Sequence, residues 1–145
     1  MRKKSIIFVC TGNTCRSPMA EIILKSKLKL AGVTDIKVSS AGLSATPGEK
    51  ISKNSLSALK QLGYKGYAFK SKQLTNEMIL KADLVICMTA NHKFYLKNYE
   101  NVCTLAEITG LGDVIDPYGG DLSVYISTSY QLEDACNTIL NKILQ

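Results

Sequence analysis

The sequence lacks a long hydrophobic run, an internal repeat and any low-complexity tract. Its longest apolar run near the N-terminus, residues 6–10, is too short for a membrane span or for the core of a signal peptide. The chain has 145 residues, 46% hydrophobic and 21% charged, a composition typical of a globular protein with one core. We therefore expect a single domain over residues 1–145, located in the cytoplasm, with no membrane partner.

The sequence also lacks cysteine pairs of the CxxC type. Its five cysteines are an odd-numbered set, which argues against both a disulfide framework and a structural zinc site. Three of them lie among apolar neighbours and are expected to be small buried hydrophobic residues: Cys87, Cys103 and Cys136. Cys10 and Cys15 lie instead in a polar segment, so they need a different explanation.

Acidic residues are fewer than basic ones: 12 Asp and Glu against 18 Lys and Arg give a formal charge of +6. This excess favours acidic partners. The basic residues are scattered, and no zinc-finger or RNA-binding signature accompanies them. We therefore expect phosphorylated protein substrates and no nucleic-acid partner. The sequence does not determine the oligomeric state, for which a monomer is the expectation.

Hydrophobic periodicity and turn residues predict alternating strands and helices. Strands are predicted at residues 5–9, 36–40, 84–88 and 101–104, and helices at 17–30, 50–62, from 75, at 92–99 and at 122–144, with Ser17 capping the first helix. This alternation predicts an α/β fold, a single-domain three-layer sandwich whose central four-stranded parallel sheet has helices on both faces. Ligands of such sheets bind beyond the carboxyl ends of the strands, which directs attention to the loop after the first strand.

That loop, residues 10–17, has the pattern Cys-x5-Arg-Ser, and we call it the phosphate loop. Its five intervening residues can curl so that backbone N–H groups point inward and bind an anion, aided by the N-terminus of the following helix. Gly12 and Asn13 suit the left-handed or otherwise unusual backbone angles that such a curl requires. The expected phosphate-binding and substrate-binding residues of the loop are Thr11, Gly12, Asn13, Thr14, Cys15 and Ser17.

Cys10 and Arg16, the first and seventh residues of this loop, have the chemistry of a phosphatase. Inward N–H groups and a nearby arginine favour a thiolate, which could attack phosphorus and form a cysteinyl-phosphate without a metal or other cofactor. Arg16 could hold two phosphoryl oxygens and favour the transition state. Alternatively, Cys10 is a buried hydrophobic residue and Arg16 a surface residue. The preceding strand and the following helix favour the catalytic interpretation.

Residues 9–21 resemble the signature of the low-molecular-weight protein tyrosine phosphatases, and the resemblance extends through residues 40–42, 82–85, 88–89 and 116–118 to the last helix. It implies that Asp116 is the general acid that protonates the leaving group, whereas an Asp-Pro dipeptide alone is equally consistent with an ordinary turn. It also implies that Ser17 hydrogen-bonds the Cys10 thiolate and that Asn13 locks the loop against Ser40.

The sequence departs from this family at one supporting residue. Many members have a histidine that supports the loop asparagine, at the position where this chain has Phe69, so the support must differ. The chain's one histidine, His92, is expected to lie at the surface or behind the residues that contact substrate, without a catalytic role.

Two features at the rim of the expected site bear on specificity. Tyrosine phosphatases of this family usually have Ile or Leu at the position of Thr14, whereas the related bacterial protein-arginine phosphatases have Thr. The segment Tyr118-Gly-Gly also resembles the arginine-specific version. Phosphoarginine is therefore the expected substrate, with Asp116 protonating the departing nitrogen and pairing with the guanidinium. Phosphotyrosine is the alternative, because Thr14 could be a neutral variation and Tyr118 could stack on a phenyl ring.

Three further hypotheses involve the same loop. A thiol-dependent arsenate reductase could share it, but the cysteine pair expected soon after the third strand is missing, since Cys87 and Cys103 lie far apart. A phosphopeptide-binding module could reuse the loop without needing both Cys10 and Asp116. Finally, Cys15 could form a protective disulfide with Cys10 under peroxide, or could only pack beneath the loop.

Overall fold

The computed structural model describes residues 4–145, so residues 1–3 of the predicted domain lie outside the described residues. The strands are β1 (Lys4–Cys10), β2 (Ile36–Gly42), β3 (Leu84–Cys87) and β4 (Val102–Thr104). The helices are α1 (Arg16–Leu30), α2 (Lys53–Gln61), α3 (Asn76–Lys81), α4 (Ala90–Tyr95), α5 (Leu105–Thr109) and α6 (Leu122–Leu144). No helix within residues 4–145 combines the length and the apolar character needed to cross a membrane.

The four strands form one parallel sheet in the order β2-β1-β3-β4. Side chains alternate across the central strand β1: Ile6 and Phe8 pack in a core with α1, α2, α5 and α6, whereas Ile7 and Val9 pack on the opposite face with α3 and the end of α4. Burial on both faces explains the unbroken apolar run over residues 6–10 of β1. The predicted α/β class, with helices on both faces of a four-stranded parallel sheet, is confirmed.

The strand order creates a crevice at the carboxyl end of β1. The chain leaves β1 for β2 on one side and later enters β3 on the other, so the connections diverge at this point. Cys10 is the last residue of β1 and is paired in register with Gly42, the last residue of β2. The sheet therefore presents Cys10 at the position where parallel α/β proteins bind ligands.

The element boundaries differ from the prediction at helix starts, where polar side chains determine which residue caps the helix. Ser17 does not cap α1: the N-cap is Cys15, without a side-chain cap, and the Ser17 hydroxyl contacts Cys10 instead. Helix α2 begins later than predicted because Ser52 is its N-cap. Helix α5 was not predicted. It has five residues, too few for a periodic pattern, and depends on a capping box between Thr104 and Glu107.

Candidate active site

The phosphate loop joins β1 directly to α1, so its ends are held by two buried elements. Asn13 has a φ of 56°, within the left-handed region. Asn13 makes the left-handed reversal expected in this loop, whereas Gly12 does not have a positive φ. The loop packs closely on β2: a Cβ at Gly42 would lie 2.5 Å from the Thr11 carbonyl oxygen and 3.0 Å from the Asn13 nitrogen. Only glycine fits there without moving the loop.

The buried Asn13 side chain is held by hydrogen bonds that offset its backbone strain. Its Nδ2 donates to Ser17 Oγ at 2.8 Å and to Ser40 Oγ at 3.0 Å. Its Oδ1 accepts from the Lys72 backbone nitrogen at 2.8 Å. These contacts connect the phosphate loop to α1, to β2 and to the segment before α3. They fix the loop in one conformation before any ligand binds.

The Cys10 sulfur lies 2.8 Å from Ser17 Oγ, and both residues are buried. Because Ser17 Oγ already accepts a hydrogen bond from Asn13, its own hydrogen is available to the sulfur. A hydroxyl that donates to sulfur stabilises a thiolate more than a thiol. The contact therefore suits Cys10 as a nucleophile.

Arg16 and Asp116 meet beside this nucleophile. Arg16 is buried, and its Nη1 donates to the Val114 carbonyl oxygen at 3.0 Å, which orients the guanidinium. Its Nη2 lies 3.7 Å from Asp116 Oδ2. The Asp116 carboxylate is about half exposed, and its Oδ1 accepts from the Tyr118 backbone nitrogen at 3.1 Å. The site thus combines a buried cation with an accessible carboxylate.

These residues surround one cavity of about 310 Å³, lined by Cys10, Thr11, Gly12, Thr14, Cys15, Arg16, Glu49, Asp116 and Tyr118. Eight of these nine residues were predicted from the sequence, and Glu49 was not. The side chains of two other predicted residues, Asn13 and Ser17, lie fully buried behind the loop. Four larger cavities within residues 4–145, of about 390, 400, 560 and 660 Å³, are lined by neither cysteine nor arginine.

The support for Asn13 comes from a carboxylate that the sequence analysis did not identify as functional. Ser40 Oγ accepts from Asn13 and donates to Glu21 Oε1 at 2.8 Å, and Glu21 is buried. Tyr67 and Lys25 hold the second oxygen of Glu21, the tyrosine through its hydroxyl and the lysine at 3.3 Å. Burial and the hydrogen bond to Glu21 raise the pKa of Tyr67, which therefore stays a donor.

These contacts support the loop asparagine in a chain that has Phe69 where many family members have a histidine. The Phe69 side chain is buried and has no polar atom, while Tyr67 and Lys25 donate to the Glu21 carboxylate behind Ser40. No local motif in the sequence indicates this arrangement, because the three polar residues belong to two distant segments. One signal was available: Glu21 is a charged residue among apolar neighbours in the first turns of α1, which indicates a buried carboxylate with partners.

His92 is buried and lies behind Thr11, a residue that lines the cavity, so of its two expected placements the one at the surface does not hold and the one behind the substrate-contacting residues does. Its Nε2 lies 2.9 Å from Thr11 Oγ1 and its Nδ1 lies 3.0 Å from Thr89 Oγ1, the side chain that caps α4. Burial, with a smaller contribution from the Arg16 charge, lowers the pKa of His92 to about 4. The imidazole is therefore neutral at physiological pH and connects α4 to the phosphate loop.

The three cysteines outside the phosphate loop lack the features of reactive thiols. Burial raises the pKa of Cys87 to about 12, that of Cys103 to about 11 and that of Cys136 to about 12. Cys87 and Cys136 are buried, as expected, but the expectation that Cys103 is buried is wrong, because it lies partly exposed in the short strand β4. Thiols held protonated are poor nucleophiles, which argues against a redox relay of the arsenate reductase type.

Comparison with protein families gives a match over residues 5–145 to the model described as low molecular weight phosphotyrosine protein phosphatase. A protein-arginine-phosphatase of Bacillus subtilis is 40% identical, over 95% of each chain. A low molecular weight protein-tyrosine-phosphatase, PtpB, of Staphylococcus haemolyticus is 38% identical, over 88% of this chain and 91% of that protein.

Among solved structures, the fold is similar to that of a mutant YwlE arginine phosphatase with a phosphorylated active-site serine. The TM-score is 0.90 at 38% identity, over 97% of this chain and 96% of that one. The resemblance inferred from the sequence is therefore confirmed along nearly the whole chain.

Proposed function

Because the chain belongs to the low molecular weight phosphotyrosine protein phosphatase family, we propose that it removes the phosphoryl group from phosphoarginine side chains of proteins. The observation that carries this proposal is the convergence of Cys10, Arg16 and Asp116 on one cavity whose rim includes Thr14. We further propose that residues 1–145 form one phosphatase domain that acts in the cytoplasm.

In the first step, the phosphoryl dianion binds in the phosphate loop, where backbone N–H groups and Arg16 neutralise its charge. Cys10 attacks phosphorus in line with the leaving group, so an S–P bond forms as the bond to the leaving nitrogen breaks. Asp116, 3.7 Å from Arg16 and accessible to substrate, donates a proton to that nitrogen. Ser17, at 2.8 Å from the sulfur, stabilises the thiolate before attack.

In the second step, water hydrolyses the cysteinyl-phosphate. Asp116, now ionised, accepts a proton from the water, and the S–P bond breaks to regenerate the Cys10 thiolate and release inorganic phosphate. The guanidinium of Arg16 is oriented by the Val114 carbonyl and preferentially stabilises the charge that spreads over the phosphoryl oxygens in both transition states.

Two features support phosphoarginine as the substrate. Thr14 lines the cavity, where a threonine leaves more room and more polarity than Ile or Leu would. Beyond Asp116, residues 117–120 form a tight turn in which the Gly120 nitrogen donates to the Pro117 carbonyl oxygen at 2.9 Å and Gly119 has a φ of 83°. A Cβ at Gly120 would lie 3.0 Å from that oxygen, so this turn favours glycine at both positions. The double glycine is the feature that resembles the arginine-specific phosphatases.

The second candidate is phosphotyrosine, favoured by the position of Tyr118. This side chain lines the cavity and is 81% exposed, so its ring is available to stack on a phenyl group. The similarity to PtpB supports the same alternative. Both candidates use the same phosphoryl chemistry and differ only in the leaving group.

A side-by-side assay of phosphoarginine and phosphotyrosine peptides tests the proposal, and Thr14→Ile sharpens it. The wild-type protein is expected to prefer phosphoarginine. The substitution adds apolar bulk beside the leaving group, which hinders a guanidinium and favours a phenyl ring by ~1–3 kcal/mol. The ratio of kcat/KM for phosphoarginine over phosphotyrosine should therefore fall about tenfold. A wild-type preference for phosphotyrosine would instead support the second candidate.

We also propose that peroxide reversibly inactivates the protein through Cys10 and Cys15. Peroxide converts the Cys10 thiolate to a sulfenic acid, and the Cys15 thiol displaces water from it to give a disulfide. Cys15 is a free, buried thiol of the same loop, in contact with Ser52 Oγ at 3.5 Å and with the Tyr125 hydroxyl at 3.8 Å.

A thiol reductant should then restore most wild-type activity after peroxide treatment. Cys15→Ala should instead be inactivated irreversibly, because its sulfenic acid has no thiol partner in the loop and excess peroxide oxidises it further to a sulfinic acid, which a thiol does not reduce. Phosphatase activity before and after reduction provides the measurement. Equal recovery of the two proteins would mean that Cys15 only packs beneath the loop.

A further inference from the structure

Glu49 lines the same cavity as Cys10, Arg16 and Asp116, yet the mechanism above gives it no task. It lies in the connection between β2 and α2, far in the sequence from the phosphate loop. Its carboxylate makes no hydrogen bond or ion pair with other residues in the range 4–145. The cavity therefore has a second rim carboxylate, besides Asp116, that is available to a ligand.

The backbone at Glu49 is fixed by Ser71, which is buried. The Glu49 nitrogen donates to Ser71 Oγ at 2.9 Å, and the Ser71 nitrogen donates to the Glu49 carbonyl oxygen at 2.8 Å. Ser71 Oγ also donates to the Thr46 carbonyl oxygen at 2.7 Å. Three residues beyond Glu49, the Ser52 nitrogen donates to the Thr14 carbonyl oxygen at 2.9 Å. The Glu49 connection is thus attached to the phosphate loop beside Thr14.

A carboxylate at this position affects the two candidate substrates in opposite directions. The phosphate loop binds a dianion, which a rim carboxylate repels. A phosphotyrosine offers a neutral phenyl ring and nothing to offset that repulsion. In phosphoarginine the guanidinium cation is bonded directly to phosphorus, at the height of the rim, and can accept a carboxylate partner. The Asp116 carboxylate already contacts Arg16 and the Tyr118 nitrogen, which leaves Glu49 as the rim carboxylate without a partner among residues 4–145.

We propose that Glu49 is a specificity-determining residue that pairs with the guanidinium of phosphoarginine and disfavours phosphotyrosine, an inference that rests on the proposed function. Glu49 is exposed at the cavity rim, so solvent and salt screen part of this interaction. Glu49 takes no part in proton transfer or in the attack on phosphorus, so its charge acts on substrate selection alone.

Glu49→Gln tests the proposal, because it removes the charge and keeps the shape. Phosphoarginine and phosphotyrosine with both backbone ends capped are the substrates, so that no neighbouring residue contributes charge. We expect kcat/KM for capped phosphoarginine to fall about threefold, as for the loss of an ion pair at an exposed position. The value for capped phosphotyrosine should stay unchanged or rise. Added salt should weaken the phosphoarginine preference of the wild type more than that of the variant.

Glu100→Gln is the matched control, since it makes the same change in net charge at an exposed residue outside the cavity. Hydrolysis of p-nitrophenyl phosphate, whose leaving group is not cationic, checks that Glu49→Gln retains the chemical step. An equal fall on both capped substrates, or no change in their ratio, overturns the role of Glu49. A wild-type preference for phosphotyrosine contradicts the proposed function instead. The role of Glu49 is judged separately, from the change that Glu49→Gln makes in the ratio of kcat/KM for the two capped substrates.

Discussion

Replacing Cys10 with serine should reduce phosphatase turnover by ~10³-fold or more, because a hydroxyl in this position is a far weaker nucleophile than a thiolate. Phosphate binding should survive. The inward N–H groups and Arg16 remain, and the Asn13 contacts that hold the loop do not involve the Cys10 sulfur. The loss of a negative sulfur also removes repulsion of the bound anion. Phosphate release measures turnover, and calorimetric titration with inorganic phosphate measures binding.

Cys103→Ser serves as the control for this substitution, because Cys103 is a partly exposed free thiol in β4, outside the cavity. It should keep wild-type activity. If Cys10→Ser turned over substrate at a rate close to the wild type, the cysteinyl-phosphate mechanism would have to be abandoned. Loss of both turnover and phosphate binding would indicate that the sulfur contributes to the shape of the loop.

The sequence predicted the parallel sheet well because each strand carries its own signal. β1 and β3 are short buried runs, and the helices between them have apolar positions at helical spacing. The phosphate loop was predictable for the same reason, since Cys10 and Arg16 belong to one continuous segment. Helix α5 was missed because its five residues depend on a capping box rather than on periodicity.

The remainder of the site arises from contacts between distant segments, for which the sequence has no local pattern. Glu49 reaches the cavity because Ser71, 22 residues later in the chain, holds its backbone. His92 contacts Thr11 across 81 residues. Tyr67 reaches Glu21 across 46 residues. Tertiary structure creates these pairs, and composition or spacing alone could not have indicated them.

Asp116 was only partly predictable from the local sequence. The Asp-Pro dipeptide alone was equally consistent with a turn, and the structure contains that turn, with Tyr118 donating to Asp116 Oδ1. The turn also directs the other carboxylate oxygen toward Arg16, at 3.7 Å. The two interpretations are therefore compatible, because the same local turn presents the carboxylate to the cavity.

Asp116→Asn should lower kcat/KM by ~10²–10⁴-fold for leaving groups that need a proton, because the amide cannot supply one. The loss should depend on the leaving group. p-Nitrophenolate departs readily without protonation, so p-nitrophenyl phosphate should lose least, whereas phenyl phosphate should lose most. A series of substituted phenyl phosphates, assayed with the wild type and the variant, should show a steeper dependence of kcat/KM on leaving-group basicity in the variant.

Asp113→Asn is the matched control for Asp116→Asn, because it makes the same change in charge three residues earlier in the same connection. The Asp113 carboxylate accepts from the Ala90 nitrogen at 3.1 Å and does not line the cavity, so this variant should keep the wild-type dependence on leaving-group basicity. The diagnostic result is the slope of kcat/KM against leaving-group basicity, rather than the size of the loss for any one substrate. Removing the Asp116 charge also frees Arg16 for phosphate, which changes binding equally for every member of the series. A uniform loss across all leaving groups would therefore assign Asp116 to the organisation of Arg16, and a selective loss on basic leaving groups assigns it to proton transfer.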